Sequence, residues 1–153
     1  MRRYELTLFA DCHQFCIQDE KVDGDLSDAW TDAALERLLA VAPGTVRIGT
    51  VRNVEVPVTI SVLEREPVFD ADKFDQVVEC SIAVASGTIV VAGCTDSFPD
   101  AARINTPAGS YRVRASFKGL DPVSGNRLAG SDHYHLELWP GPMGTVQVLK
   151  QRV

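Results

Sequence analysis

VEVPVTISV, residues 54–62, alternates aliphatic and polar side chains along its whole length. Successive strand residues point to opposite faces, so Val54, Val56, Val58, Ile60 and Val62 share one side of an extended chain. Glu55, Pro57, Thr59 and Ser61 share the other. Pro57 has no N–H to give to a ladder, which predicts a sheet edge or a bulge at that point.

The same period recurs outward from this strand. Val78, Cys80, Ile82 and Val84 repeat it in 76–84, and Tyr111, Val113, Ala115 and Phe117 repeat it in 111–117 against Arg112, Arg114 and Ser116. Tyr134, Leu136 and Leu138 alternate with His133, His135 and Glu137, and Val146 and Val148 close the series. Shorter strands are expected at 4–10, 13–18, 45–51 and 88–93. Turn residues punctuate them at Ser86-Gly87, Pro107-Ala108-Gly109, Ser124-Gly125-Asn126 and Pro140-Gly141-Pro142. The longest loop is expected at 119–131.

Residues 31–44, TDAALERLLAVAPG, break the pattern. Thr31 suits an N-cap, Asp32 the first turn, and Ala34, Leu35, Leu38, Leu39 and Ala42 follow helical spacing until Pro43-Gly44 ends the run. The spacing predicts a helix over 31–42 that lays a leucine stripe on the sheet, with Trp30 anchoring its start. The chain therefore reads as all-β: an antiparallel β-sandwich of about eight or nine strands carrying one helix, in a single domain over 1–153. Across the Ser86-Gly87 turn a two-residue hairpin would set Val84 against Ile89, Ile82 against Val91 and Cys80 against Gly93, with Cys94 facing outward opposite Glu79.

Composition narrows function only coarsely. Of the 153 residues, 45% are hydrophobic and 24% charged, which is neither membrane-like nor disordered. The opening MRRYELTLFAD is interrupted by Glu5 and Asp11 and lacks a cleavage site, so the reading is cytoplasmic. A net charge of −6 and a pI near 5.0 disfavour direct nucleic-acid binding and suit a basic protein partner.

DCHQFCIQD, residues 11–19, holds the densest chemistry. On a strand, Cys12 and Cys16 would lie roughly 13 Å apart and could not share one zinc ion. Cys12 and His13 would face opposite ways, which removes a thiol–imidazole nucleophile pair. His133 and His135 have same-face spacing for two ligands, a pair that a distant Cys or His could complete, but zinc sites ordinarily show tighter Cys spacing than any here. No serine elbow, zinc-helix motif or phosphate-binding glycine loop occurs. The expectation is therefore no enzyme, no metal and no cofactor, with four reduced cysteines. His13 is expected to pack inward beside Phe9 and Phe15.

One acidic stretch remains. DEKVDGDLSDAWTDAALE, residues 19–36, carries Asp19, Glu20, Asp23, Asp25, Asp28, Asp32 and Glu36 against Lys21 alone. It reads either as a solubilising loop or as a surface that imitates phosphates toward a basic partner.

Several short motifs in order resemble the competence protein J family. They are His13-Gln14-Phe15, Trp30-Thr31-Asp32-Ala33, Arg52-Asn53 and Pro107-Ala108-Gly109-Ser110-Tyr111-Arg112, with matching spacing from about residue 12 to residue 117. Two departures stand out. Cys12 replaces the aromatic usual before His-Gln-Phe, and the stretch 119–142 is longer than in the founding member. The resemblance implies a small acidic protein that binds a nuclease and blocks its active site. The partner-binding candidates are then Asp19, Glu20, Asp23, Asp25, Asp28 and Asp32. The alternative is a sandwich that binds a small ligand near His13, Trp30 and Trp139.

Overall fold

Two sheets face each other. The six-stranded sheet contains β1 (Arg2–Phe9), β5 (Glu55–Val62), β6 (Gln76–Val84), β9 (Gly109–Lys118), β10 (His133–Pro140) and β11 (Gln147–Lys150). The five-stranded sheet contains β2 (Gln14–Asp19), β3 (Leu39–Ala42), β4 (Thr45–Gly49), β7 (Thr88–Gly93) and β8 (Ala102–Asn105). A short helix α1 (Asp32–Arg37) precedes β3. This computed structural model describes residues 1–24, 29–121 and 129–152. The Ser124-Gly125-Asn126 turn and most of the expected 119–131 loop lie outside the described residues, as do Asp25 and Asp28.

The spatial order is β1-β5-β10-β9-β6-β11 in one sheet and β3-β4-β2-β7-β8 in the other. The apolar faces read from the sequence form the layer between them. Val56, Val58 and Ile60 of β5, Val113 and Phe117 of β9, and Tyr134 and Leu136 of β10 meet Phe15 and Ile17 of β2 and Val46 and Ile48 of β4 in one buried cluster. Each such side chain contributes about 1.5–3 kcal/mol by leaving water. No helix among the described residues is long and apolar enough to cross a membrane.

The all-β sandwich with one helix is as expected; four local expectations are corrected. First, β10 pairs with β5 in parallel, Tyr134 beside Val58 through Leu138 beside Val62, so the six-stranded sheet is mixed. Second, β5 is interior, with β1 on its other side. Pro57 is accommodated because the β10 ladder begins one residue later, at Val58.

Third, β6 and β7 are not a hairpin. β6 pairs with β9 and β11, β7 with β2 and β8, and the Ser86-Gly87 turn carries the chain between sheets. The same alternation fits both arrangements, because Ile82 and Val84 face Ile89 and Val91 across the core just as readily as within one sheet. Glu79 consequently lies beside Arg114, not Cys94. Cys80 is buried and Cys94 exposed, and all four cysteines are free.

Fourth, the helix stops at Arg37. Thr31 does cap it, its Oγ1 accepting from the Ala34 N–H at 3.2 Å. Leu38 then adopts a left-handed conformation (φ 61°), and Leu39–Ala42 pair with β4. The β-compatible LAVA run forms a ladder instead of a fourth turn. The leucine stripe is thereby divided, with Leu39 in the core and Leu35 exposed.

Candidate partner-binding face

The acidic segment does not form one surface. Asp19 ends β2 with only 1% of its surface exposed. Its carboxylate accepts from Ser86 N–H (2.9 Å), Ser86 Oγ (2.6 Å) and Lys21 N–H (3.1 Å). Burial alone would raise its pKa, but these hydrogen bonds and the Lys21 charge outweigh it, and the carboxyl sits below its usual range. Asp19 is thus a clasp for the turn that crosses between sheets, and its expected exposure is corrected. Glu20 is half-buried and paired with Arg103 at 2.8 Å. Asp23, Asp32 and Glu36 are exposed.

The far end of β2 lies about 17 Å away along the strand. There the opening nonapeptide begins as a tight turn, not a strand: Cys12 and His13 both have positive φ, 59° and 56°. That turn reverses the expected facing of His13. The residue is exposed; its N–H points to Asn53 Oδ1 at 3.3 Å and its Nδ1 lies 3.2 Å from the Thr50 carbonyl. Phe15 and Ile17 do face the core. His13, Gln14, Trp30, Leu35 and Leu38 line a surface groove of about 190 Å³ with Cys12, Gly49 and Thr50. Trp139, expected in the same pocket, lies instead on the outer face of the six-stranded sheet with the Arg114 guanidinium 5.2 Å from its ring centre.

A buried polar network braces this end. Arg52 Nε donates to Asp132, whose side chain is fully buried, and Asp132 Oδ2 accepts from Tyr134 OH at 2.5 Å. Tyr134 OH in turn accepts from the Val51 N–H at 2.9 Å. Burial, then the Asp132 hydrogen bond, pushes the Tyr134 hydroxyl far above its usual pKa, so it remains a donor. Arg52-Asn53 is therefore a brace: one side chain is fixed by a carboxylate 80 residues away, the other positions the His13 turn. No local pattern marked Asp132 or Thr50 for this role.

The Pro107–Arg112 motif belongs to the opposite end. Tyr111 OH donates to the Pro107 carbonyl at 2.5 Å and lies 2.9 Å from Thr106 Oγ1, locking the turn into β9. Gly109 takes a φ of 153° there. The motif residues are thus split between two ends of the sandwich.

Three of the four thiols, Cys12, Cys16 and Cys94, gather near Arg47 at the outer face of β2. Arg47 Nη1 donates to Gln14 Oε1 at 3.1 Å and reaches Cys94 Sγ at 3.9 Å. The neighbouring Cys94 thiol, first by hydrogen bonding, raises the pKa of Cys12. Among the described residues no three histidine, cysteine or acidic side chains are placed to hold a metal ion.

No protein-family model matches the sequence, and no curated protein does. Solved structures do. The chain superposes with a TM-score of 0.67 on the crystal structure of ComJ, inhibitor of the DNA degrading activity of NucA, from Bacillus subtilis, at 19% identity over 92% of this chain and 96% of that one. The fold is ComJ-like. The crocagin biosynthetic gene J protein has a TM-score of 0.61, at 18% identity over 93% of this chain and 100% of its own. Such coverage means that the two-sheet ComJ-like architecture as a whole is shared, rather than one sheet of it. At these identities the likeness concerns the fold and carries no residue roles.

Proposed function

We propose that this protein is a binding module that inhibits a nuclease by engaging its positively charged DNA cleft. The observation that carries the reading is the ComJ-like fold, because ComJ inhibits the DNA degrading activity of NucA. Net charge supports it: a chain at −6 attracts a cleft built for phosphates and repels DNA itself. So does the surface at the α1 end, where the Trp30–Leu35 groove is apolar and Asp32 and Glu36 are exposed beside it. Apolar anchors with a charged rim suit a protein interface.

Within the acidic segment, Asp23 and Asp32 supply the field together with Asp25 and Asp28, which lie between them in the chain. Glu20 adds less because Arg103 already neutralises it, and Asp19 takes no part. The protein acts by binding, without chemistry of its own. Free thiols at Cys12 and Cys94, side by side and exposed, suit the reducing cytoplasm.

The test mixes the protein with a basic nuclease encoded by the same genome and follows plasmid cleavage. Stoichiometric loss of cleavage supports the reading. Full cleavage at a large molar excess of the protein contradicts it.

A further inference from the structure

The outer face of the six-stranded sheet, away from the α1 groove, contains a cavity of about 240 Å³. One cross-strand row sets Arg3, Ser61, Glu137, Arg114 and Glu79 side by side on β1, β5, β10, β9 and β6. Register alone would pair Glu137 with Arg114. Instead Arg114 turns away, its Nε donating to Glu79 Oε2 at 2.8 Å and its Nη1 to the Pro67 carbonyl at 3.1 Å. The other cations lining the cavity are also taken: Arg3 pairs with Glu5 at 3.3 Å and Lys73 with Asp70 at 3.8 Å.

Glu137 is left over. Its half-buried carboxylate has no hydrogen bond or ion pair among the described residues. Burial pushes its pKa up, and the Arg114 charge offsets only part of that. His135, one same-face step along β10, stacks on His133 at 4.2 Å and meets the edge of Phe74 at 5.5 Å. Burial holds its imidazole down to about 4, so at neutral pH it offers a lone pair. The hydroxyls of Ser61 and Ser116 line the same cavity. Phe69 and Phe74, from the segment that Arg114 ties across the sheet, supply apolar walls.

We propose that this cavity binds an organic cation, an ammonium or guanidinium group on a short carbon chain, with Glu137 as its counter-ion. An ammonium brings three donors, and the carboxylate, the His135 lone pair and a serine hydroxyl supply three acceptors. The Phe74 ring offers an apolar wall to the carbon chain, while the Phe69 ring already faces the Arg114 guanidinium at 5.4 Å, which leaves Glu137 as the group that answers the positive charge. The volume, roughly that of eight water molecules in the liquid, admits a chain of a few carbons and no more. The cation arrives either as a free small molecule or as a lysine or arginine side chain of another protein.

The test titrates the folded protein with n-pentylammonium, n-pentanol and Nα-acetyl-lysine N-methylamide, following the imidazole resonances of His135 by NMR. The expected result is saturable shifts with the amines and none with the alcohol. Glu137→Gln, which keeps shape and removes charge, should weaken amine binding by roughly tenfold or more while its thermal midpoint stays near that of the parent. Tighter binding of the capped lysine assigns the site to a protein side chain, tighter binding of pentylammonium to a free metabolite, and both support the proposal. Absence of saturable shifts with either amine, or equal binding by the Glu137→Gln variant, overturns it.

Discussion

Asp132 and the exposed acids Asp23, Asp32 and Glu36 use the same chemical group in opposite ways. Asp132 is fully buried, paired with Arg52 and bonded to Tyr134, so its charge is compensated inside the protein. Asp23, Asp32 and Glu36 face water, where single charges contribute little to stability but their summed field reaches an approaching partner. Position in the fold, not residue type, separates a structural carboxylate from one available for recognition. Asp19 shows how easily the two are confused: it belongs in sequence to the exposed group and in space to the buried one.

The largest effect should follow removal of the buried pair. Asp132→Ala leaves the Arg52 guanidinium without its counter-ion, and the urea midpoint should report a loss of about 3–5 kcal/mol. A loss under about 1 kcal/mol would mean that water screens this end of the sandwich as effectively as the surface.

Asp19→Ala should cost about 1–3 kcal/mol, because the Ser86 donors of the sheet-crossing turn lose their acceptor. The pH dependence adds a signature. The folded-state pKa of Asp19 lies below its ordinary 3.8, so its stabilisation is complete above that value and disappears as pH falls through the lower folded value. The variant should lose less stability than the parent in that acid window. An unchanged acid profile would place Asp19 with the exposed carboxylates.

A milder acid effect should come from His135, whose folded pKa of about 4 lies below the ordinary 6.5 through burial and the nearby positive groups His133, Arg3 and Lys118. The unfolded chain binds the extra proton first, so stability is whole above about pH 6.5 and declines toward pH 4. His135→Gln should flatten that stretch of the stability curve while leaving the region below it unaltered. A parent curve already flat between these values would contradict the burial of this ring. Smaller still is His13→Ala. With the side chain exposed and one contact to the Thr50 carbonyl, the loss should stay below about 1.5 kcal/mol.

Residues whose fate is settled by their neighbours in sequence were legible. The alternation in 54–62 placed Val56, Val58 and Ile60 in the core, and Thr31 caps its helix as its local pattern predicts. Residues whose fate depends on a distant strand were not. Period two shows that Ile82 and Ile89 face inward, but not whether they sit in one sheet or two. The carboxylate of Asp19 is claimed by Ser86, 67 residues on, and that of Asp132 by Arg52, 80 residues back. His13 departs from the strand pattern for a local reason: two consecutive left-handed residues, neither of them glycine, interrupt an otherwise continuous alternation. Of the candidate site, a pocket near His13 and Trp30 was expected, whereas Leu38, Gly49 and Thr50 joined it, and Trp139 left it, only when β2, α1 and β4 met in space.

In the proposed complex the acids of the 23–32 stretch, and not the buried Asp19 and Asp132, carry recognition of a basic nuclease. The direct measurement is the association rate of that nuclease with the parent and with a variant in which Asp23, Asp25, Asp28 and Asp32 are changed to Asn, across a range of salt concentrations. The parent should associate rapidly at low salt and slow steeply as the Debye length shrinks below about 10 Å. The variant should keep the parent's urea midpoint, associate more slowly and depend weakly on salt. Identical rates and identical salt slopes for the two proteins would contradict the claim and reduce the acidic segment to a solvated loop.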